Sequence, residues 1–214
     1  MSQLVNTVVT NILTALYEPF WFAVTMSVLF MFLYMYAYCP AETGKGIKRA
    51  LAAWLKEFKR SVFFRRLLAL TFYTSLVLFR TLLNRKLWLN PLSDVCGGWT
   101  LWTINANGVR VLTTDSVENV LMLLPFTMLL MWAAKDKILK KVTFAGIVKS
   151  SFKIAFLFSL SIELLQLFLR VGTFQLSDLC YNTLGGVIGG VIYGAVWKIK
   201  SRKNAKLKGE YEAV

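Results

Sequence analysis

Glu163, Gln166 and Arg170 stand at i, i+3 and i+7 of one apolar stretch, so a helix there puts all three on one face. Asp178 and Asn182, at i and i+4, open the next stretch. Arg80 closes an earlier one, and Asp115, Glu118 and Asn119 open another. Two kinds of chemistry fit such a set. Carboxylates, amides and guanidinium groups gathered in one place can hold a polar headgroup through charge-assisted hydrogen bonds. Two carboxylates on adjacent helices, Glu163 and Asp178, also suffice for general acid–base work, with an arginine stabilising developing negative charge. The chain contains no histidine, which excludes Ser-His-Asp and Cys-His nucleophile pairs and histidine-ligated metals. The three cysteines, Cys39, Cys96 and Cys180, show no C-x-x-C spacing, so neither a zinc site nor a disulfide framework is expected. No cofactor is implied.

Glu163 falls about seven residues, or ~10 Å, inside the end of its stretch. A carboxylate at such a depth in a bilayer costs on the order of 2.5–3.5 kcal/mol, so it must face protein or water and have a partner. Arg80 is the expected cation from another helix. A Glu163–Arg80 pair that only fixes helix register is the plainer reading of the same residues. Plain readings exist for others too: Ser177 or Asp178 as a helix cap, and Asp115 with Glu118 as a capping-box variant. Capping accounts for neither Asn182, one turn deeper, nor Glu163. Pro125 inside its stretch frees a backbone carbonyl, which in membranes often lines a cavity.

These residues are delivered by segments that must cross a membrane. At 57% hydrophobic and a mean hydropathy of +0.56 over 214 residues, the chain is too apolar for a soluble domain. Five apolar stretches, roughly 20–39, 66–83, 117–134, 152–170 and 179–197, reach or approach the ~20 residues that span a hydrocarbon core. The expected fold is an all-α integral membrane protein. The first stretch lacks a basic n-region and is too long for a cleavable signal peptide.

The formal charge of +14 is distributed as a topology signal. Lys and Arg number 0 in residues 1–19, 8 in 40–66, 3 in 84–116, 5 in 135–149, 1 in 170–178 and 6 from Lys198 onward. That alternation puts the N-terminus outside, the C-terminus in the cytoplasm and the polar residues together at the outer face. Contacts with anionic lipids explain the charges better than nucleic acid does.

Between the spans lie three further features. Ile47, Leu51, Trp54, Leu55 and Phe58 fall on one face of residues 47–60 with lysines and arginines opposite, the pattern of an amphipathic helix on the inner leaflet. Residues 2–16 carry an apolar stripe that lies on the outer surface or extends the first span. The loop 84–116 holds Trp88, Trp99 and Trp102, and its residues 99–113 read as a hairpin turning at Asn105–Gly108. Its aromatics anchor in the headgroup region or close over the polar cluster as a lid. In the last span, Gly185, Gly186, Gly189, Gly190 and Gly194 give small-xxx-small spacings that allow close helix packing. The primary reading is packing within the monomer; homo-oligomerisation through Gly185 and Gly189 is the alternative.

The runs Asn119-Val-Leu-Met-Leu-Leu-Pro125-Phe, Ser161-Ile-Glu163-Leu-Leu-Gln166 and Asp178-Leu-Cys-Tyr-Asn182-Thr-Leu-Gly185-Gly186-Val-Ile-Gly189 resemble the VanZ-like family of bacterial membrane proteins. Arg80 and Asn90-Pro91 resemble its looser, earlier elements. Thr127 stands where that family usually has glycine, which bears on how closely another helix approaches. The resemblance covers residues 66–197 and divides the chain into an N-terminal span with the basic helix (1–65), a four-helix VanZ-like domain (66–197) and a basic cytoplasmic tail (198–214). It implies a multi-pass protein of the bacterial plasma membrane associated with resistance to the lipoglycopeptide teicoplanin. The expected partners are membrane lipids and an amphiphilic antibiotic or lipid-linked envelope precursor. Arg80, Asn119, Glu163, Gln166, Arg170, Asp178 and Asn182 are the candidate ligand-binding residues. Glu163 and Asp178 are the candidate catalytic groups in the rival reading, an intramembrane enzyme acting on an envelope lipid; a non-catalytic scaffold of a larger complex is the third.

Overall fold

The structure is a computed structural model and describes residues 2–38, 46–99, 102–104, 108, 110–112 and 114–212. Among the described residues seven α-helices follow in order: α1 (Ser2–Tyr17), α2 (Phe20–Tyr38), α3 (Ile47–Arg60), α4 (Val62–Leu78), α5 (Asp115–Ile138), α6 (Phe144–Leu169) and α7 (Leu176–Glu212). A π-helical turn, Phe79–Leu83, extends α4. Trp102–Ile104 (β1) and Arg110–Leu112 (β2) pair antiparallel between α4 and α5. The hairpin therefore forms in the expected loop, although residues 105–107 of its turn lie outside the described residues.

Local chemistry sets the breaks. Pro19 separates α1 from α2, and its carbonyl accepts from Ala23 N (2.8 Å) as α2 begins. Ser61 ends α3 and caps α4, its hydroxyl accepting from Phe64 N at 3.1 Å. Thr143 does the same for α6 through Gly146 N at 3.0 Å. Among the described residues five segments are long and apolar enough to cross a membrane: Phe20–Tyr38, Val62–Leu83, Asp115–Ile138, Phe144–Leu169 and Leu176–Asn204. They match the five stretches expected, the second, third and fifth with longer edges and the fourth beginning earlier, at Phe144. The second starts at Val62 rather than at residue 66 because Arg65 fits into it. Its guanidinium donates to the carbonyls of Phe58 and Lys59, each at 2.9 Å, and so satisfies the end of α3.

Large apolar side chains such as Leu157, Leu165 and Phe168 face outward. In water that surface would be a liability; with five spans it is the lipid-facing surface of a multi-pass membrane protein. One core, built on Leu70, Val77, Leu123, Phe126, Ala155 and Ile162, ties α4, α5 and α6 together, with Phe126 stacked on Phe158. A second joins Met31, Met35 and Phe64 to Trp54 and Phe58 of α3. Ile47, Leu51 and Leu55 stay exposed on α3.

Helix α7 packs most extensively against α5 and α6, and its glycines explain how. A Cβ at Gly185 would run into the carbonyl of Val120, and one at Gly189 into that of Leu124, both on α5. Gly186 and Gly190 meet Ala155 and Ser151 of α6 in the same way. The close approach is made within the chain, where all four glycines are buried. Thr127 does not hold the helices apart. Its side chain is fully buried, and its hydroxyl donates to the Gly186 carbonyl at 2.8 Å.

Candidate functional site

Helices α6 and α7 are antiparallel neighbours, so residues one turn apart on each make layers. In the deeper layer Asn182 Nδ2 donates to Ser159 Oγ at 3.1 Å. One turn nearer the loops stand Glu163 and Asp178, close enough for the charge of Asp178 to act on Glu163. Asn119 of α5 completes this layer, its Nδ2 donating to Asp178 Oδ1 at 2.7 Å. Asn119, Glu163, Asp178 and Asn182 thus come together as expected. Glu163 and Asn182 are each 2% exposed.

Gln166 joins from a third side. Its Nε2 donates to the carbonyl of Thr81 at 2.8 Å. That carbonyl is at the end of the π turn, beyond the reach of any further helical N–H, and a side chain fills the vacancy as helix ends require. Gln166 therefore locks α6 to the end of α4 while lying on the same face as Glu163.

Two expected residues go elsewhere. Arg80 does not pair with Glu163; it pairs with Glu118 at the start of α5. The π turn is the reason, since its wider coil carries Arg80 toward α5 while the carbonyl of the next residue, Thr81, meets Gln166. Arg170 leaves the face of Glu163 and Gln166 because α6 stops at Leu169. Arg170 is its C-terminal cap in the left-handed conformation (φ 55°), and its side chain is exposed, with no bond to the cluster among the described residues. What it contributes is its backbone carbonyl, which accepts from Trp88 N at 2.7 Å.

The capping readings of Ser177 and of the Asp115–Glu118 box are also corrected. Thr114 precedes α5 without a side-chain cap, and Glu118 is held instead by Arg80, Asn11 and Thr114. Asp178 is bonded to Asn119, and the buried Ser177 hydroxyl has no partner among the described residues.

Neither Glu163 nor Asp178 forms an ion pair among the described residues. The exposed Arg85, just beyond the π turn, is a cation whose charge acts on both from a distance. Nothing in the sequence distinguishes it from the other loop cations, because it lies outside any periodic segment. Ser159 was findable: with Glu163 and Gln166 it completes an i, i+4, i+7 polar stripe.

A backbone-bonded cover closes the cluster at its loop end. Phe174 N donates to Pro91 O (2.8 Å) and Leu176 N to Val95 O (2.9 Å), while Gln175 Nε2 donates to Asp94 Oδ2 at 2.8 Å. The same Gln175 turns its backbone N–H inward to Glu163 Oε2 at 3.1 Å. Gly97 makes the contact possible. It sits at φ 68°, and any Cβ there would strike the Ser177 hydroxyl. Tyr181 OH reaches over to Trp99 O at 3.1 Å. No group of three or more His, Cys, Asp or Glu side chains that could hold a metal occurs among the described residues.

Five spans, a glycine-packed α5–α6–α7 core and a capped polar cluster at one end define a helical multi-pass membrane protein with a buried polar site. The family model described as VanZ/LLP1 matches residues 20–198, and the chain belongs to that family. The match begins at α2 and so takes in the first span and α3 as well as the region from residue 66 onward. Comparison with curated proteins and with solved structures returned no match.

Proposed function

We propose that this protein contributes to lipoglycopeptide resistance by binding an amphiphile at the polar cluster, either the drug or a lipid-linked envelope precursor. The loop charges favour an orientation with the cluster at the outer face of the bacterial plasma membrane. The observation that carries the reading is unspent hydrogen-bonding capacity in a buried site. Asn182 Oδ1 and Ser177 Oγ have no partner among the described residues, although these residues are only 2% and 1% exposed. Each such group costs about 1–3 kcal/mol while unpaired. A ligand presenting hydroxyl and amide N–H donors would recover that cost. Two carboxylates in the cluster without an ion-pair partner among the described residues favour donors over a phosphate in the interior. Arg85 at the rim is the group suited to an acid on the same ligand. The exposed rings of Trp88 and Trp99 suit its sugar or acyl surface.

The test is teicoplanin susceptibility of a sensitive Gram-positive host carrying wild type, Glu163→Gln or Asp178→Asn at matched membrane levels. Wild-type protection lost in both folded variants supports the reading. Undiminished protection by the variants would make the cluster structural glue, and no protection by wild type would separate this chain from the resistance phenotype.

The second reading, an intramembrane acid–base enzyme, draws on the mutual proximity of Glu163 and Asp178 and their shared cation. Purified protein that changes the mass of an added envelope lipid would favour it, and stoichiometric binding without turnover would favour the first.

A further inference from the structure

We propose that the space between α1, α4 and α5 is a second binding site, which takes one alkyl chain of a membrane lipid and holds the lipid's oxyanion head at Arg80. It is a cavity of about 280 Å³ walled by Ile12 and Leu16 of α1, Leu76 and Val77 of α4, and Leu121 and Met122 of α5. It faces a different side of α5 from the polar cluster and does not rest on the reading of that cluster. The consecutive residues Glu118 and Asn119 make the separation plain. Glu118 points to Arg80 at the cavity, and Asn119 points to Asp178 of α7.

The polarity of the walls runs in one direction. Arg80, Glu118 and Asn11 line the end nearest the loops, and the remaining walls down to Tyr73 and Pro125 are apolar. From Glu118 to Pro125 is seven residues of α5, or ~10 Å of depth. Tyr73, at the deep end, spends its hydroxyl on Met122 O at 2.8 Å and offers a ligand little beyond its ring. An apolar cavity of this kind does not hold water stably. It lies between two membrane-spanning helices, so the medium at hand to fill it is hydrocarbon. A chain running down from a polar end is the geometry of a lipid.

The head follows from Arg80. A guanidinium has five N–H donors, and Arg80 gives a bond from Nη2 to Glu118. Its side chain is 38% exposed, against 13% for Glu118, so donors remain for an oxyanion at the membrane surface. Glu118 is tied down meanwhile, since Asn11 Nδ2 donates to its Oε1 at 2.6 Å. That bond also fastens α1 over the cavity.

The experiment uses the full chain in phosphatidylcholine nanodiscs doped with a phosphatidylglycerol probe that carries a diazirine midway along one chain. Adducts are mapped by mass spectrometry. The expected result is labelling concentrated on the cavity walls of α1, α4 and α5. Filling the space with Leu121→Trp, or with Ile12→Trp on the peripheral α1, should lower those adducts about fivefold while the unfolding temperature is kept. Glu118→Gln frees the Arg80 charge and should raise labelling by the anionic probe about two- to fivefold over a phosphatidylcholine probe. Asp178→Asn, in the other site, should leave the labelling pattern and its probe preference unchanged below its own unfolding temperature, so failure here and failure of the polar-cluster reading are told apart. Adducts spread evenly over outward-facing residues such as Leu157 and Phe168, and indifferent to Leu121→Trp, would overturn the site. Equal labelling by both probes, with no response to Arg80→Gln, would overturn the choice of head.

Discussion

Asn119 of α5 donates to Asp178 of α7 across 2.7 Å, and this bond joins two of the three helices that form the polar cluster. A reversed pair tests it. Asn119→Asp alone sets two carboxylates against each other, and Asp178→Asn alone loses the charge-assisted component. Each single variant should lower stability by about 1–3 kcal/mol. The double variant Asn119→Asp/Asp178→Asn restores a donor and an acceptor in reversed order and should recover most of that loss. Thermal unfolding in detergent reads all three. A double variant no better than the worse single one would mean that the bond is incidental.

The Arg80–Glu118 pair makes a prediction about which charges are coupled. A double-mutant cycle on Arg80→Ala and Glu118→Ala should give a coupling of about 1 kcal/mol, as expected for a partly exposed pair. The same cycle on Arg80 and Glu163 should give a value near zero. A large Arg80–Glu163 coupling would restore the pairing that the sequence led us to expect.

Gln166 satisfies the Thr81 carbonyl from a 4% exposed position. Gln166→Leu leaves that carbonyl unpaired in an apolar setting and should cost about 1–3 kcal/mol. Exchange of the α6 amides near Gln166 measured by hydrogen–deuterium exchange should rise in step. Unchanged protection would show that water replaces the glutamine at no cost.

The α5–α7 contact depends on glycine. Gly185→Ala drives a methyl group at the Val120 carbonyl. The gain of up to about 1 kcal/mol in helix propensity is outweighed by overpacking of roughly 1–3 kcal/mol. Gly98→Ala, where nothing lies within 4 Å of the added carbon, is the neutral comparison. Equal unfolding temperatures for the two variants would contradict the packing described.

Gly97 holds the cover in place. Gly97→Val forces a β-branched residue into φ 68° and against Ser177. The cover should lift more often, and the amides of Phe174 and Leu176, now bonded to Pro91 and Val95, should exchange about tenfold faster or more. Unaltered exchange at those two amides would mean that the cover is held by other contacts.

Much of the architecture was legible before any coordinates. Five spans, the helix at 47–60, the hairpin after Trp99 and the convergence of Asn119, Glu163, Asp178 and Asn182 each follow from apolar run length, helical periodicity or span boundaries. These are local properties, set by the free energy of moving a short segment between water and hydrocarbon. Partner assignments fared differently. Arg80 and Glu163 both sit near the same end of their spans, which is all that depth along the chain can say. Whether they meet depends on how each helix is rotated about its axis. A one-residue π insertion turns Arg80 toward Glu118, and a left-handed cap at Arg170 ends the face that Glu163 and Gln166 share.

The same division runs through the whole chain. The sequence by itself determined that the polar residues of α5, α6 and α7 gather at one end of the helices, because hydropathy and spacing set depth and helix face residue by residue. Only the tertiary structure decided that Arg80 goes to Glu118 rather than to Glu163, that Gln175 caps Glu163, and that α1 walls a separate apolar cavity. Those contacts join segments far apart in the chain, and their geometry comes from the rotation and close packing of neighbouring helices, to which no local pattern of residues is sensitive.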